Sequence, residues 1–431
     1  MRFERLMKRP MKRTLLSTLV AAPVLVLAAL VAPGFAAAAG PVTSDACSSS
    51  AGAATCRIWA KAGSTDLPGL PGVPVLGFTG GASGLTDPVT APGGPTLIVN
   101  QGDTVTVDFE NDLTVGTSLV FEGVSTAPDL APVAAGGTKS YVFTASAPGT
   151  YLYEASTLSI DASDVSTDQA YQVAMGLYGV LVVRPATAGQ AYDSAATAFT
   201  DEAVILVSEL DPALNGSADP SMFDLRGFAP RYFLLNGKAY PATDAIDVTA
   251  GNTTLIRYAN AGLRHHSMAT LGVDQSLVGD DASPLVHPRG FVAETLGPGQ
   301  TMDVLVSIPA AAADGTRYAL YDGDVWFANS NGAAFGGMLT FLNVTSGGPG
   351  GGGTGPTTDN TALSPNPTNG SVDVTVTATV DAGTANVSAA EYFIDATGTS
   401  GTGTAMSGSF GSTTASVTGT IPTSVLATLA S

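Results

Sequence analysis

Two short segments place acids where a strand can aim them. Residues 117–123 read Thr117-Ser118-Leu119-Val120-Phe121-Glu122-Gly123, and residues 149–156 read Gly149-Thr150-Tyr151-Leu152-Tyr153-Glu154-Ala155-Ser156. Each has the pattern of a buried β-strand, which delivers every second side chain to one face. A later segment, residues 315–324, ends on Asp322 and Asp324. Paired carboxylates can do acid–base work on glycosides, but two tryptophans in the whole chain supply no aromatic-rich sugar cleft. The three histidines, His265, His266 and His287, have no triad context, and there is no G-x-S-x-G elbow. The glycine run at 347–353 lacks a following helix or a Lys-Ser/Thr pair, so it is not a phosphate loop. Cys47 and Cys56 are the only cysteines. In an oxidising compartment they are expected to pair and pin the N-terminal arm to the first strand, contributing about 2–3 kcal/mol. A functional thiol is the other reading.

The elements that must position these residues are strands. A chain of 431 residues suggests two or three domains. Apolar residues at 45% provide material for cores, while 51 Gly and 27 Pro separate many short runs rich in Val, Thr and Tyr. No convincing amphipathic helix follows residue 40, so the fold is read as all-β. Residues 1–39 stand apart: a basic start (Arg2, Arg5, Lys8, Arg9, Lys12, Arg13), an apolar run over 15–31 and a small-residue exit over 35–40 read as a secretory signal peptide. A retained membrane anchor is the competing reading. Beyond residue 39 remain eleven basic and 35 acidic residues, a net charge near −24. Such a surface argues against nucleic acid and anionic membranes as partners.

Taken in order, residues 56–60 and 73–78 open the fold as strands. Residues 95–111 form two alternating strands around the turn Gln101-Gly102-Asp103, ending on Asn111. The two acid-bearing strands follow, joined by residues 136–143, and the apolar strand 176–183 closes the domain at Arg184-Pro185. The second half repeats the scheme. Residues 248–260 are again strand, turn, strand and Asn; His265-His266-Ser267-Met268-Ala269-Thr270-Leu271-Gly272 stands for the first motif strand; residues 296–306, 315–324 and 336–341 echo the rest. An internal repeat of about 150 residues, each a Greek-key sandwich, follows.

This pattern resembles the first cupredoxin domain of multicopper oxidases. The shared features are a Pro-Thr strand, a Gly-Asp turn, a strand-ending Asn, Thr-Ser-x-x-x-x-Gly, then Pro-Gly-Thr-Tyr-x-Tyr and Gly-Leu-Tyr-Gly-x-Leu-Val-Val. The resemblance implies paired H-x-H strands holding copper. Carried over, the first-domain histidine places fall on Val120, Glu122, Glu154 and Ser156. In the second half they fall on His266, Ala269, Leu271, Asp322 and Asp324, with Gly323 at the thiolate place and Met338 at the axial methionine. A trinuclear centre in this family takes eight histidines, and a blue-copper site needs a cysteine between its histidines. With three histidines and no cysteine after residue 56, neither is expected. His266 and Met338 are then remnants of a copper site, or respectively a hydrogen-bonded imidazole and core packing. If residues 233–344 instead match the family's copper-free middle domain, missing ligands there carry no meaning. If the domains pack as in the family, Glu122, Glu154, Asp322 and Asp324 would approach each other as hard oxygen donors suited to calcium. The competing reading leaves these acids facing solvent.

The expected organisation is a signal peptide over 1–39, cupredoxin-like domains over 40–188 and 189–345, a Gly-rich linker over 346–358, and over 359–431 a segment resembling bacterial Ig-like modules. That segment holds too few strands for a full sandwich and reads as truncated. The expected function is a secreted or cell-surface structural or binding module without cofactor and with an unknown extracellular partner. A trimer is implied by two-domain relatives, and no membrane span remains after signal cleavage. The alternative is a copper-binding oxidoreductase or another metal-handling protein.

Overall fold

The computed structural model describes residues 25–28, 41–126, 129, 131–155, 170–325, 336–345, 357–365, 371–381, 387, 389–394 and 403–429. The chain divides into two compact units, Phe35–Gly352 and Met1–Gly34 with Gly353–Ser431.

In the first unit, alternation makes the strands. Along Thr104–Asn111, Val105, Val107 and Phe109 point inward and Thr106, Asp108 and Glu110 point outward. The turn before it needs a left-handed residue, which Gly102 supplies at φ +87°, and Asp103 Oδ2 accepts the Asn100 N–H at 3.0 Å. One sheet joins Cys47–Ser50, Ala53–Leu67, Thr104–Asn111 and Thr138–Thr144, with Leu70–Gly80 paired to Ala53–Leu67; the other runs Leu97–Asn100, Tyr178–Arg184, Gly149–Ala155, Leu119–Phe121. Cys47 and Cys56 sit opposite each other in the opening hairpin and are joined by a disulfide.

The second sandwich repeats these pairings. Ala53–Leu67 runs parallel to Thr104–Asn111, as Asp201–Leu210 does to Thr253–Asn260. Tyr178–Arg184 runs parallel to Leu97–Asn100, as Leu339–Thr345 does to Ile246–Thr249. Even the strand-ending asparagines match. Asn111 Nδ2 donates to Val115 and Val133 carbonyls, both at 2.8 Å, while its Oδ1 accepts from Leu113 N. Asn260 Nδ2 donates to the Arg264 and Leu296 carbonyls, and its Oδ1 accepts from Gly262 N. Each side chain therefore closes the loop that leads into the next motif strand.

One core lies within each sandwich, and the first continues across the seam to take in Leu206, Ala259 and Ala261 of the second. A further apolar cluster packs Leu67, Val73, Val75 and Val89 against Leu210, Tyr232 and Leu234. The seam is thus a packed interior rather than a wet contact, and at roughly 25 cal/mol per Å² its apolar burial favours a fixed pair.

The other unit has strands in the order Leu25–Ala28, Ala390–Ile394, Thr404–Gly408, Thr414–Ile421, Val374–Asp381 and Thr357–Ser364, with a short helix at Thr423–Leu429. Val376, Val380, Val387 and Val417 form its core. Most of the expected signal segment lies outside the described residues. Among those described, no helix is long and apolar enough to cross a membrane.

Candidate functional site

Period-two alternation explains why Glu154 is buried. Thr150 and Glu154 are four residues apart on Gly149–Ala155 and share a face. That face meets the second sandwich, since Thr150 donates to Asp303 Oδ1 at 2.5 Å. Glu154 is 8% exposed, and no hydrogen bond from another described residue reaches its carboxyl group. Burial, and then the neighbouring Glu122, push its pKa up to about 8. Glu122 follows Leu119–Phe121, the strand paired with Gly149–Ala155. Its pKa is raised by burial and by Asp281 of the second sandwich.

Asp322 and Asp324 join a different set. His266, the first residue of His266–Leu271, is fully buried, and both ring nitrogens face carboxylates: Nδ1 lies 2.6 Å from Asp322 Oδ2 and Nε2 lies 2.5 Å from Glu209 Oε1. The remaining oxygens are also used. Asp322 Oδ1 accepts from Ser267 N and Asp324 N, each at 3.0 Å. Glu209 accepts from Leu263 N at 2.9 Å and Arg264 N at 3.2 Å. Burial alone would lower the imidazole pKa, but the hydrogen bonds to Asp322 and Glu209 outweigh it and raise it to about 9. The ring therefore lies between two carboxyl groups that favour its protonated form.

Met338 is fully buried in the second core, and its carbonyl accepts the Asp322 N–H at 3.2 Å. Gly323 and Asp324 are exposed, as are His265, His287 and Leu271, whereas Ala269 is buried. Ser156 lies outside the described residues. The structure thus sets Glu154 beside Glu122, and Glu122 beside Asp281 of the second sandwich, and gives Asp322 to His266. Among the described residues, no group of three or more His, Cys, Asp or Glu side chains is arranged to hold a metal ion.

Sequence reasoning missed Glu209 and Asp281. A single acid inside the apolar run Val204–Leu210 was the available signal for Glu209, because a charge rarely enters a buried strand without a partner. It also missed the network around Arg257. This fully buried guanidinium donates from Nε to Glu202 Oε1 at 2.7 Å and from Nη1 to Thr150 Oγ1 at 3.1 Å, with Asp303 Oδ1 3.3 Å away. Arg184 of the first sandwich reaches Glu202 Oε2 at 2.6 Å, and Tyr192 donates to Asp303 Oδ2 at 2.7 Å.

Residues 90–188 match the multicopper oxidase domain family. Laccase-3 of Oryza sativa subsp. japonica is 27% identical over 250 residues, covering 53% of this chain and 40% of the relative. Putative laccase-17 of the same organism is 28% identical over 235 residues, covering 50% and 39%. The chain therefore spans about two fifths of the length of these curated relatives. Among solved structures, a blue copper oxidase from Nitrosomonas europaea superposes with a TM-score of 0.55 at 20% identity, over 67% of this chain and 85% of that one. A multi-copper oxidase from Pseudomonas thermotolerans gives 0.52 at 22% identity, over 70% and 65%. At such identities these two show the fold, the cupredoxin sandwich. Residues 90–188 are thus similar to the multicopper oxidase domain family, and the same strand order recurs in both cupredoxin sandwiches.

Proposed function

We propose that this protein is a copper-free member of its family, exported from the cell and acting there as a structural or binding module. The family implies copper, and the residues present do not fit it. The observation that carries this reading is His266: its two ring nitrogens lie 2.6 and 2.5 Å from carboxylate oxygens of Asp322 and Glu209, so both are engaged inside the protein. Gly323 offers no thiolate beside it, and the only two cysteines are joined to each other. In the first sandwich Glu122 and Glu154 stand at carried-over imidazole places, and a carboxylate pair favours hard cations over copper. Export is supported by the basic start and apolar run of residues 1–39. A trimer is carried over from two-domain relatives, and light scattering on the purified chain measures it. The resemblance of 359–431 to Ig-like modules supports a role in attachment or spacing.

The test is metal analysis of the purified chain before and after incubation with Cu(II), together with oxygen uptake on a phenolic substrate. The reading expects substoichiometric copper and no uptake. Tightly held stoichiometric copper with oxygen consumption overturns it.

A further inference from the structure

The buried Glu209–His266–Asp322 cluster joins elements that sequence separates widely. Glu209 is the penultimate residue of Asp201–Leu210, His266 opens His266–Leu271, and Asp322 ends Arg317–Asp322. The first strand belongs to the six-stranded sheet of the second sandwich; the other two lie in the five-stranded sheet. The cluster therefore crosses the sandwich from one sheet to the other. All three side chains are fully buried. Each carboxylate also receives two backbone N–H groups, so Glu209 fixes the loop at Leu263 and Arg264 while Asp322 fixes Ser267 and Asp324.

We propose that this cluster is an internal replacement for a metal cross-link: a protonated imidazole supplies the positive centre and two carboxylates supply its ligands. The inference rests on the copper-free reading above and goes beyond it by assigning a role to His266, Glu209 and Asp322. A metal ion at this place would fasten strands from both sheets to one cation. The cluster does the same with groups the chain already carries, and Phe233 packs edge-on to the ring at 6.2 Å to keep it dry. Three further features fit. Every carboxylate oxygen of the pair has a donor, as a buried anion requires. The ring's own valence is filled at both nitrogens. Gly323, at the carried-over thiolate place, spends its N–H on the Ser267 carbonyl at 2.7 Å, so backbone pairing closes this corner instead of a side chain.

Two measurements on the full chain test the proposal. First, ¹⁵N spectra of the wild-type ring at neutral pH report its protonation directly, and assignment needs only His266→Gln because the chain has three histidines. Both nitrogens protonated is the expected result; one bare nitrogen in copper-free protein overturns the clasp and leaves the copper-free reading standing. Copper bound at His266 overturns both. Second, thermal unfolding of Glu209→Gln, His266→Gln and the double variant gives a coupling. Each single change is expected to lower Tm by about 10 °C, and the double by clearly less than the sum. Additive effects overturn the clasp.

Discussion

Arg257 of the second sandwich donates to Thr150 of the first at 3.1 Å, and neither group is exposed to water. The same Thr150 hydroxyl donates to Asp303, and its carbonyl accepts from Thr301 Oγ1 at 2.7 Å. One residue of the first sandwich is thus fixed at three points to the second, inside a charge network that Arg184 enters from the opposite side. Removing the guanidinium leaves Asp303 buried without its cation and Glu202 with Arg184 alone. Arg257→Ala is expected to destabilise the unit by about 3–5 kcal/mol, and Arg257→Lys to recover little, because an ammonium cannot reproduce the forked geometry. Urea unfolding measures both.

Stability is expected to fall toward alkaline pH. Glu154 has a pKa raised from 4.5 to about 8, so its contribution is complete below 4.5 and is lost as pH rises through 8. His266 has a pKa raised from 6.5 to about 9, so its contribution is complete below 6.5 and is lost as pH rises through 9. The two add in the same direction between pH 6.5 and 8. Glu154→Gln, which stays neutral, is expected to reduce the slope below about pH 6.5 and to raise stability at pH 9 by on the order of 1–3 kcal/mol. Unfolding midpoints at a series of pH values check this; an unchanged profile in the variant contradicts the burial of Glu154.

Asn111 and Asn260 hold equivalent loops with two donated and one accepted hydrogen bond apiece. Replacing either by alanine is expected to cost about 1–3 kcal/mol, since buried backbone carbonyls lose their donors. Hydrogen exchange should rise locally, around Leu113 in one variant and Gly262 in the other.

Restoring a thiol does not restore a metal site. Gly323→Cys is expected to give a titratable cysteine, with Ser267 O 3.1 Å from the new Cβ requiring a small local shift. No blue absorption is expected with Cu(II), because both His266 nitrogens stay committed to carboxylates. Thiol titration and visible spectra read the two outcomes separately.

Much of the fold was legible because alternation is local. Val105, Val107 and Phe109 declare an inward face without reference to any partner strand, and the repeated strand-turn-strand-Asn scheme announced a second sandwich at residues 248–260. The grouping of the acids was less legible. The sequence left two readings, Glu122 and Glu154 meeting Asp322 and Asp324 if the domains pack as in the family, or all four acids facing solvent. The structure places Glu122 against Asp281 and Asp322 against His266. No local pattern names the residue on the opposite side of a strand.

What the sequence determined by itself was an inventory: three imidazoles, two cysteines before residue 57, and acids where the family implies histidines. That inventory limits the available chemistry because no folding step creates a ligand. What only the tertiary structure decided was pairing. Glu209 and His266 are 57 residues apart, on strands of different sheets. Which buried charge finds which partner depends on how the two sheets stack, and the need to neutralise charge away from water then selects the contacts.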